Sequence, residues 1–426
     1  MSNAAEVAEP RTRILISAYA CGPDNGPEAG AGWAFARAAA AHHDVWVITR
    51  QRFRDTVDAA LKSSPSLAAH LRVIYLDLPE AVMRYKRSQF DLYWYYILWQ
   101  RTFHRRALEL HAEFSFDVVH HVSFANDWLP CGAVGLGVPL VWGPVGGASR
   151  VPLRLLRWLG PRGILTELTR ETFVAQLRRY WGDPAARAAA VVVAQNREVA
   201  QRFKYARRVV VEPNAAFEDE LPPRTRRKSQ DGLRRAVWVA RLIPWKGPQL
   251  ALAALTHGPA KSWRVDFYGE GPELGRLRKR VSKLGITDRV RFHGLRPRPE
   301  VLQAMAEADA LLFPSLHDQA GWVAAEASSI GLPVVCFDLG GPPLLAGVNA
   351  QIASIDGNPA ANLAEELAAA GQVDGIPNNR WAARRLSALV DDWYADAISA
   401  GVVKTRAPKP KNHNDQIKEE PKPSSL

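Results

Sequence analysis

The chain has 426 residues, 47% apolar and 23% charged, which gives room for two full cores and is too apolar for a disordered protein. Three cysteines far apart, Cys21, Cys131 and Cys336, exclude a disulfide framework or a zinc module and point to a reducing compartment, the cytoplasm or the inner face of its membrane. A net charge of +12 admits nucleic acid, an anionic membrane surface or anionic sugar nucleotides as partners and does not choose among them.

Residues 1–12 contain no cationic region followed by an apolar run, so no secretory leader is expected and the segment reads as disordered. From residue 13 onward, short β-branched runs alternate with helical patterns: 13–20, 44–50, 71–78, 116–124, 138–143 and 189–196. This alternation predicts a parallel, doubly wound sheet over 13–216. The uncharged stretch 128–148 is broken by three prolines and six glycines, which argues for a strand between tight loops and against a membrane span. Residues 217–232, charged and proline-bearing without periodicity, read as a linker. A second set of runs at 235–241, 262–269, 289–294, 310–315, 333–338 and 350–355 predicts a second Rossmann-like domain over 233–378. A long amphipathic helix over 379–400, placed to cross back to the first domain, and a polar, proline-rich tail over 401–426 close the chain.

Four segments carry candidate chemistry. The loop ACGPDNGPEAGAGW brings Gly30 and Gly32 to a strand-to-helix junction, where backbone can approach a phosphate or sugar closely. It is not a dinucleotide fingerprint, because Phe35 stands where a third glycine belongs and Arg50 where an acid belongs. In VARLIPWKG, Arg241 and Lys246 follow a strand end, where two cations suit a diphosphate, although a solvated turn explains them equally. In SLHDQAGWVAAE, Asp318 precedes a helix opened by Gly321 and Trp322, and Glu326 lies about 7 Å further along it. The two acids bracket a span of diphosphate size; a helix acid near its favourable dipole is the plain alternative for Glu326. His120 and His121 in DVVHHVSF are either cleft groups on the acceptor side or satisfied core histidines.

RLIPWKG, FYGEGPE, VRFHG, SLHDQAGWVAAE and GLPVVCFDLGGP, in this order, resemble the C-terminal domain of retaining glycosyltransferases of family 4, with the GT-B fold. ACGPDNGPEAGAGW, DVVHHVSF and WGPVGG are similar to a bacterial exopolysaccharide-building branch of that family. The resemblance implies a nucleotide-diphosphate sugar as donor substrate, a saccharide or lipid-linked saccharide acceptor, no cofactor, no metal and no nucleic acid. Arg241 and Lys246 would neutralise the leaving diphosphate, Asp318 would touch the donor sugar, and Glu326 would hold the ribose. Gly321 and Trp322 would offer backbone amides, and Gly294 and Leu295 would border the base. Asp318 replaces the family's glutamate, shortening the reach, and Gly143 and Pro144 stand where many relatives carry a histidine. A sugar-nucleotide epimerase or phosphorylase shares this architecture and is told apart by product analysis without acceptor. A non-catalytic basic scaffold protein is told apart by failure to bind a nucleotide diphosphate.

Residues 83–106 hold eight aromatics and six Lys or Arg, and residues 150–163 hold four arginines among Leu and Trp. Both could face lipid headgroups as a peripheral membrane contact; packing within the first domain is the alternative.

Overall fold

A computed structural model describes residues 11–23, 26–85, 91–217, 221–226 and 232–401. The expected disordered N-terminal residues 1–10 and the tail 402–426 lie outside them, as do residues 86–90 of the aromatic stretch and residues 218–220 and 227–231 of the linker.

Each half of the chain builds one all-parallel sheet. The first runs in the order β3-β2-β1-β4-β5-β6-β7, from β1 (Arg13–Ala18), β2 (Asp44–Thr49), β3 (Leu71–Tyr75), β4 (Val118–Ser123), β5 (Leu140–Val145), β6 (Val191–Ala194) and β7 (Val209–Val211). The second runs β10-β9-β8-β11-β12-β13, from β8 (Arg234–Val239), β9 (Trp263–Tyr268), β10 (Val290–Gly294), β11 (Ala310–Leu312), β12 (Val334–Phe337) and β13 (Ala350–Ala353). Central strands such as β4, β5, β6, β11 and β12 are buried along their whole length, as expected of strands covered by helices on both faces. The three-residue edge strand β7 was not among the sequence expectations; too short for a visible period, it pairs only with β6.

Helix α1 (Pro27–His42) starts after the glycine-rich loop, with proline in its first turn. Its alanine-rich face packs into the first core together with α6 (Leu386–Gly401), which contributes Leu386, Val390, Trp393, Tyr394 and Ala397. The end of the chain thus returns to the first sheet. The expected helix over 379–400 begins only at Leu386, because the preceding residues are pinned. Trp381, 1% exposed, donates its indole N–H to the Leu345 carbonyl (2.8 Å), while Phe217 and residues 381–383 exchange backbone bonds of 2.9 and 3.0 Å.

The described part of the linker is no free spacer. Thr225 donates its backbone N–H to Ala306, Arg226 pairs with Asp309 at 2.7 Å, and Arg224 reaches the Gly331 and Ala308 carbonyls.

The aromatic stretch also reads differently in three dimensions. In helix α2 (Asp91–Phe114), Tyr95, Tyr96, Trp99 and Phe103 are fully buried against β1 and β4 residues. Their rings form the first domain's second core and face no lipid. In the second segment, Leu155 and Leu159 insert into the core of the second domain, with Ala236 and Trp238 in the same cluster. Among the described residues no helix is long and apolar enough to cross a membrane.

Candidate active site

The carboxyl ends of both sheets face one another across a cavity of about 410 Å³. Its walls are built from residues that follow strand ends, the place where open parallel sheets bind ligands. The first domain supplies Pro27 and Glu28 beyond β1, Phe124, Ala125 and Asn126 after β4, Gly146 after β5, Gln195 after β6 and Asn214 after β7. The second supplies Arg241 and Lys246 after β8 and Phe313 and residues 318–323 after β11. A larger cavity of about 960 Å³, lined by Arg11, Arg37, Asn378 and Arg384 among others, lies away from the strand ends and holds none of the predicted residues.

Local geometry explains how three separate sequence motifs arrive at one wall. The loop after β8 is stitched to the loop after β11: Leu316 donates its N–H to the Trp245 carbonyl at 2.8 Å, and Ser315 Oγ to the same carbonyl at 3.3 Å. Gly247, with φ +66° just before helix α4 (Pro248–Ala254), permits this approach, since a Cβ there would fall 2.0 Å from the Pro314 carbonyl oxygen. Lys246 thereby reaches Asp318, and its ammonium forms an ion pair with Asp318 Oδ2. Behind Asp318, the glycine pair after β12 lies flat: Gly341 N–H donates to the Asp318 carbonyl at 3.1 Å. The Arg241 guanidinium is exposed and has no carboxylate partner among the described residues. Gly321, with φ +80°, caps helix α5 (Trp322–Ile330), whose first turn opens on the cavity.

The two domains touch around this cavity. Gln319 Oε1 accepts the Gly147 N–H at 2.8 Å, and the Gln319 carbonyl accepts from Asn196 Nδ2 at 2.8 Å. Trp322 donates its indole N–H to Asn214 Oδ1 at 3.0 Å, and Gly340 N–H donates to Glu198 Oε1 at 2.9 Å. Gln319, Asn196, Asn214 and Glu198 carry no motif signal in one sequence, because their role exists only where two domains meet.

Arg241, Lys246, Asp318, Gly321 and Trp322 therefore share one wall. Glu326 is one turn deeper on α5, 8% exposed and outside the cavity lining; its Oε1 accepts from Arg298 Nε at 3.0 Å. Burial raises its carboxyl above the ordinary range, and Arg298 offsets part of that. Gly294 and Leu295 end β10 on the sheet's outer edge, where Leu295 is exposed and its N–H reaches Glu270 Oε1 at 3.4 Å.

Three expectations are corrected. Gly32 lies against the backbone of its own loop, a Cβ there meeting the Ala20 carbonyl oxygen at 2.1 Å, and Gly30 is likewise outside the cavity lining. The members of that loop and helix facing the cavity are Pro27 and Glu28. His120 is fully buried, with Nδ1 bonded to the Tyr394 hydroxyl (2.9 Å) and Nε2 to the Gly143 carbonyl (2.8 Å). His121 is bonded to Ser17 Oγ (2.9 Å) and the Tyr96 hydroxyl (3.1 Å). Burial lowers their pKa values to about 4 and about 3, so both are neutral core residues with both ring nitrogens engaged, not acceptor-side groups. Both lie within β4 rather than beyond its carboxyl end, paired with β1 and β5, so their side chains enter the two cores and not the cleft.

Two parallel-sheet Rossmann-like domains facing across a cleft, with a C-terminal helix returning to the first, define the GT-B fold of glycosyltransferase structures. Anabaena HepE in complex with UDP superposes with a TM-score of 0.52 at 17% identity, covering 90% of this chain and 99% of that one. Sucrose-phosphate synthase from Thermosynechococcus elongatus gives 0.54 at 15%, covering 92% and 100%. Residues 224–375 match the family described as Glycosyl transferases group 1. Among curated proteins, the chain is similar to the D-inositol 3-phosphate glycosyltransferase of Corynebacterium efficiens, 33% identical over 35% of this chain and 38% of that protein. It is also similar to the 2-deoxystreptamine glucosyltransferase of Streptomyces kanamyceticus, 32% identical over 24% and 27% respectively. The match thus spans less than two fifths of either relative.

Proposed function

We propose that the protein is a glycosyltransferase moving a hexose from a nucleotide-diphosphate sugar to a hydroxyl of a saccharide acceptor, with retention and without a metal. The observation that carries this reading is the single cavity wall on which Arg241, Lys246 and Asp318 converge from two separate strand-end loops. In the transfer, the bond between C1 and the phosphate oxygen breaks and a bond from C1 to the acceptor oxygen forms on the same face. The acceptor's proton passes to the departing phosphate oxygen. Arg241 and Lys246 stabilise the charge that develops there, and Asp318 accepts hydrogen bonds from sugar hydroxyls once the diphosphate has drawn Lys246 away. Glu326 holds the ribose with its second oxygen while Arg298 keeps the first. Asp318, the two cations and the helix start are supported by their place on the cavity wall, and Glu326 by lying one turn behind it; an epimerase or phosphorylase would use the same wall, and sugar release without acceptor distinguishes it.

UDP, GDP and ADP tested for thermal stabilisation should single out one base, and Glu326→Ala should weaken that diphosphate's effect by about tenfold in apparent Kd, the worth of one lost hydrogen-bonding carboxylate. No stabilisation by any of the three refutes the reading.

The membrane part of the expectation moves to a different surface. With Tyr95, Tyr96, Trp99 and Phe103 of α2 buried, the exposed apolar side chains near the arginines of 150–163 are Leu153, 81% exposed, and Leu165, Leu168 and Phe173 on helix α3 (Gly160–Leu177). Arg154, Arg157 and Arg162 flank them. This face suits a lipid-linked acceptor presented at an anionic inner membrane surface. Flotation with phosphatidylglycerol vesicles should show binding at low salt that Leu165→Glu with Phe173→Glu abolishes; no binding at low salt removes the membrane contact and leaves the transfer reaction untouched.

A further inference from the structure

We propose that Glu28 is the acceptor-positioning residue: across the cavity from the cations, its carboxylate accepts a hydrogen bond from an acceptor hydroxyl beside the attacking one. This rests on the donor reading above and names the group on the opposite wall. Among the described residues the cations lining the cavity, Arg241 and Lys246, belong to the second domain, and they hold the diphosphate there. The acceptor must then enter against the first domain's wall. The polar side chains on that wall are Glu28, Asn126, Gln195 and Asn214. Three are committed: Asn214 accepts the Trp322 indole N–H at 3.0 Å, Gln195 donates to the Pro144 carbonyl at 3.1 Å, and Asn126 Oδ1 accepts the Trp128 N–H at 3.4 Å. Glu28 is the charged member, placed in the first turn of α1 beside Phe124 and Ala125, and its carboxyl has no ion-pair partner among the described residues.

An acid at a helix start is ordinarily held ionised by the helix dipole. Here burial outweighs the dipole and pushes the carboxyl up to about 7. The titratable and charged groups facing it among the described residues are Arg241, Lys246 and Asp318 across the cavity and Tyr96 behind it. Tyr96 is bonded to His121 at 3.1 Å and thence to Ser17, a neutral buried chain that supplies no counter-charge. An unpaired carboxyl poised in this way is ionised only above about pH 7, and a bound diphosphate moves that point upward. The acceptor held by it presents the neighbouring hydroxyl to C1 from the side that the leaving phosphate occupies, and that hydroxyl's own proton stays free to pass to the phosphate oxygen.

The test uses the full chain, whichever of UDP, GDP and ADP stabilises it, that nucleotide's glucose conjugate as donor, and a panel of p-nitrophenyl glycosides as acceptors. In the wild type, acceptor KM should fall as pH rises through about 7 and above, as Glu28 ionises. Glu28→Gln should raise acceptor KM about 10- to 100-fold, the worth of a hydrogen bond to a charged group, and abolish the pH-dependent fall. Stabilisation by the nucleotide diphosphate should be unchanged in the variant, which also reports that it is folded. An acceptor KM and pH profile like the wild type's in Glu28→Gln overturns the proposal, as does loss of diphosphate binding in that variant. Glycosides that leave diphosphate release by the wild type unaltered overturn it too. Arg241→Ala, run in parallel, tests the donor reading separately: full diphosphate binding there sinks that reading while the Glu28 result stands by itself.

Discussion

Arg241→Ala should lower the transfer rate by about 10²- to 10³-fold, the cost of removing one preorganised group aimed at developing charge. Arg241 is exposed and without a carboxylate partner among the described residues, so its whole charge is available to the diphosphate. Lys246 differs, being paired with Asp318. Removing Lys246 strips one cation and also leaves the Asp318 carboxylate, 14% exposed, facing an anionic ligand. Lys246→Ala should therefore impair donor binding more than Arg241→Ala does. Lys246→Ala with Asp318→Asn should recover part of that loss, because like charges no longer meet. Donor KM and single-turnover rates for the three variants check this; a double variant no better than Lys246→Ala would mean that Asp318 does not feel the diphosphate.

The second large effect is on stability. Arg178 and Asp127 form an ion pair with side chains 4% and 0% exposed. Arg178 also donates to the Gly147 carbonyl at 2.8 Å and reaches Glu171 at 3.3 Å, which in turn pairs with Arg150 at 2.9 Å. Gly182 is needed beside it, since a Cβ there would fall 1.8 Å from the Asp127 carbonyl oxygen. Arg178→Met should destabilise the protein by about 3–5 kcal/mol, because it strands a fully buried carboxylate without its ion-pair partner. Adding Asp127→Asn should return part of that, since a neutral amide is cheaper to bury than an unpaired charge. Urea midpoints of the two variants measure it; a change below about 1 kcal/mol in Arg178→Met would show that water reaches Asp127. The same network sets the first domain's cavity wall, for Asp127 N–H donates to the Gly146 carbonyl at 2.9 Å and adjoins Asn126. Part of the lost stability should therefore reappear as weaker acceptor binding.

The sheets were legible because parallel strands covered on both faces must be apolar throughout, and runs such as AAVVVAQN and ALLFPS have no other economical reading. Arg241, Lys246, Asp318 and Gly321 were legible for a related reason: each follows such a run within a few residues, and the carboxyl end of a parallel strand leads to the cleft whatever the rest of the chain does. What stayed hidden depended on contacts between distant segments. His120 and His121 read as strand-end groups, yet β4 runs on past them to Ser123, and Tyr394, 274 positions away from His120, and Tyr96 take up their ring nitrogens. Tyr95, Trp99 and Phe103 share the composition of a headgroup-facing helix, and only the docking of α2 against β1 and β4 shows that the first domain's second core takes them. Gly32 and Glu28 lie four residues apart in one loop and helix; packing against Ala20 consumes the first, while the second is left on the cavity wall. Local sequence fixes hydrophobic period and strand ends because these are properties of a few neighbouring residues. Which polar side chain remains without a partner, and so available for chemistry, was decided by the tertiary structure, because a partner is supplied by whatever the fold brings near.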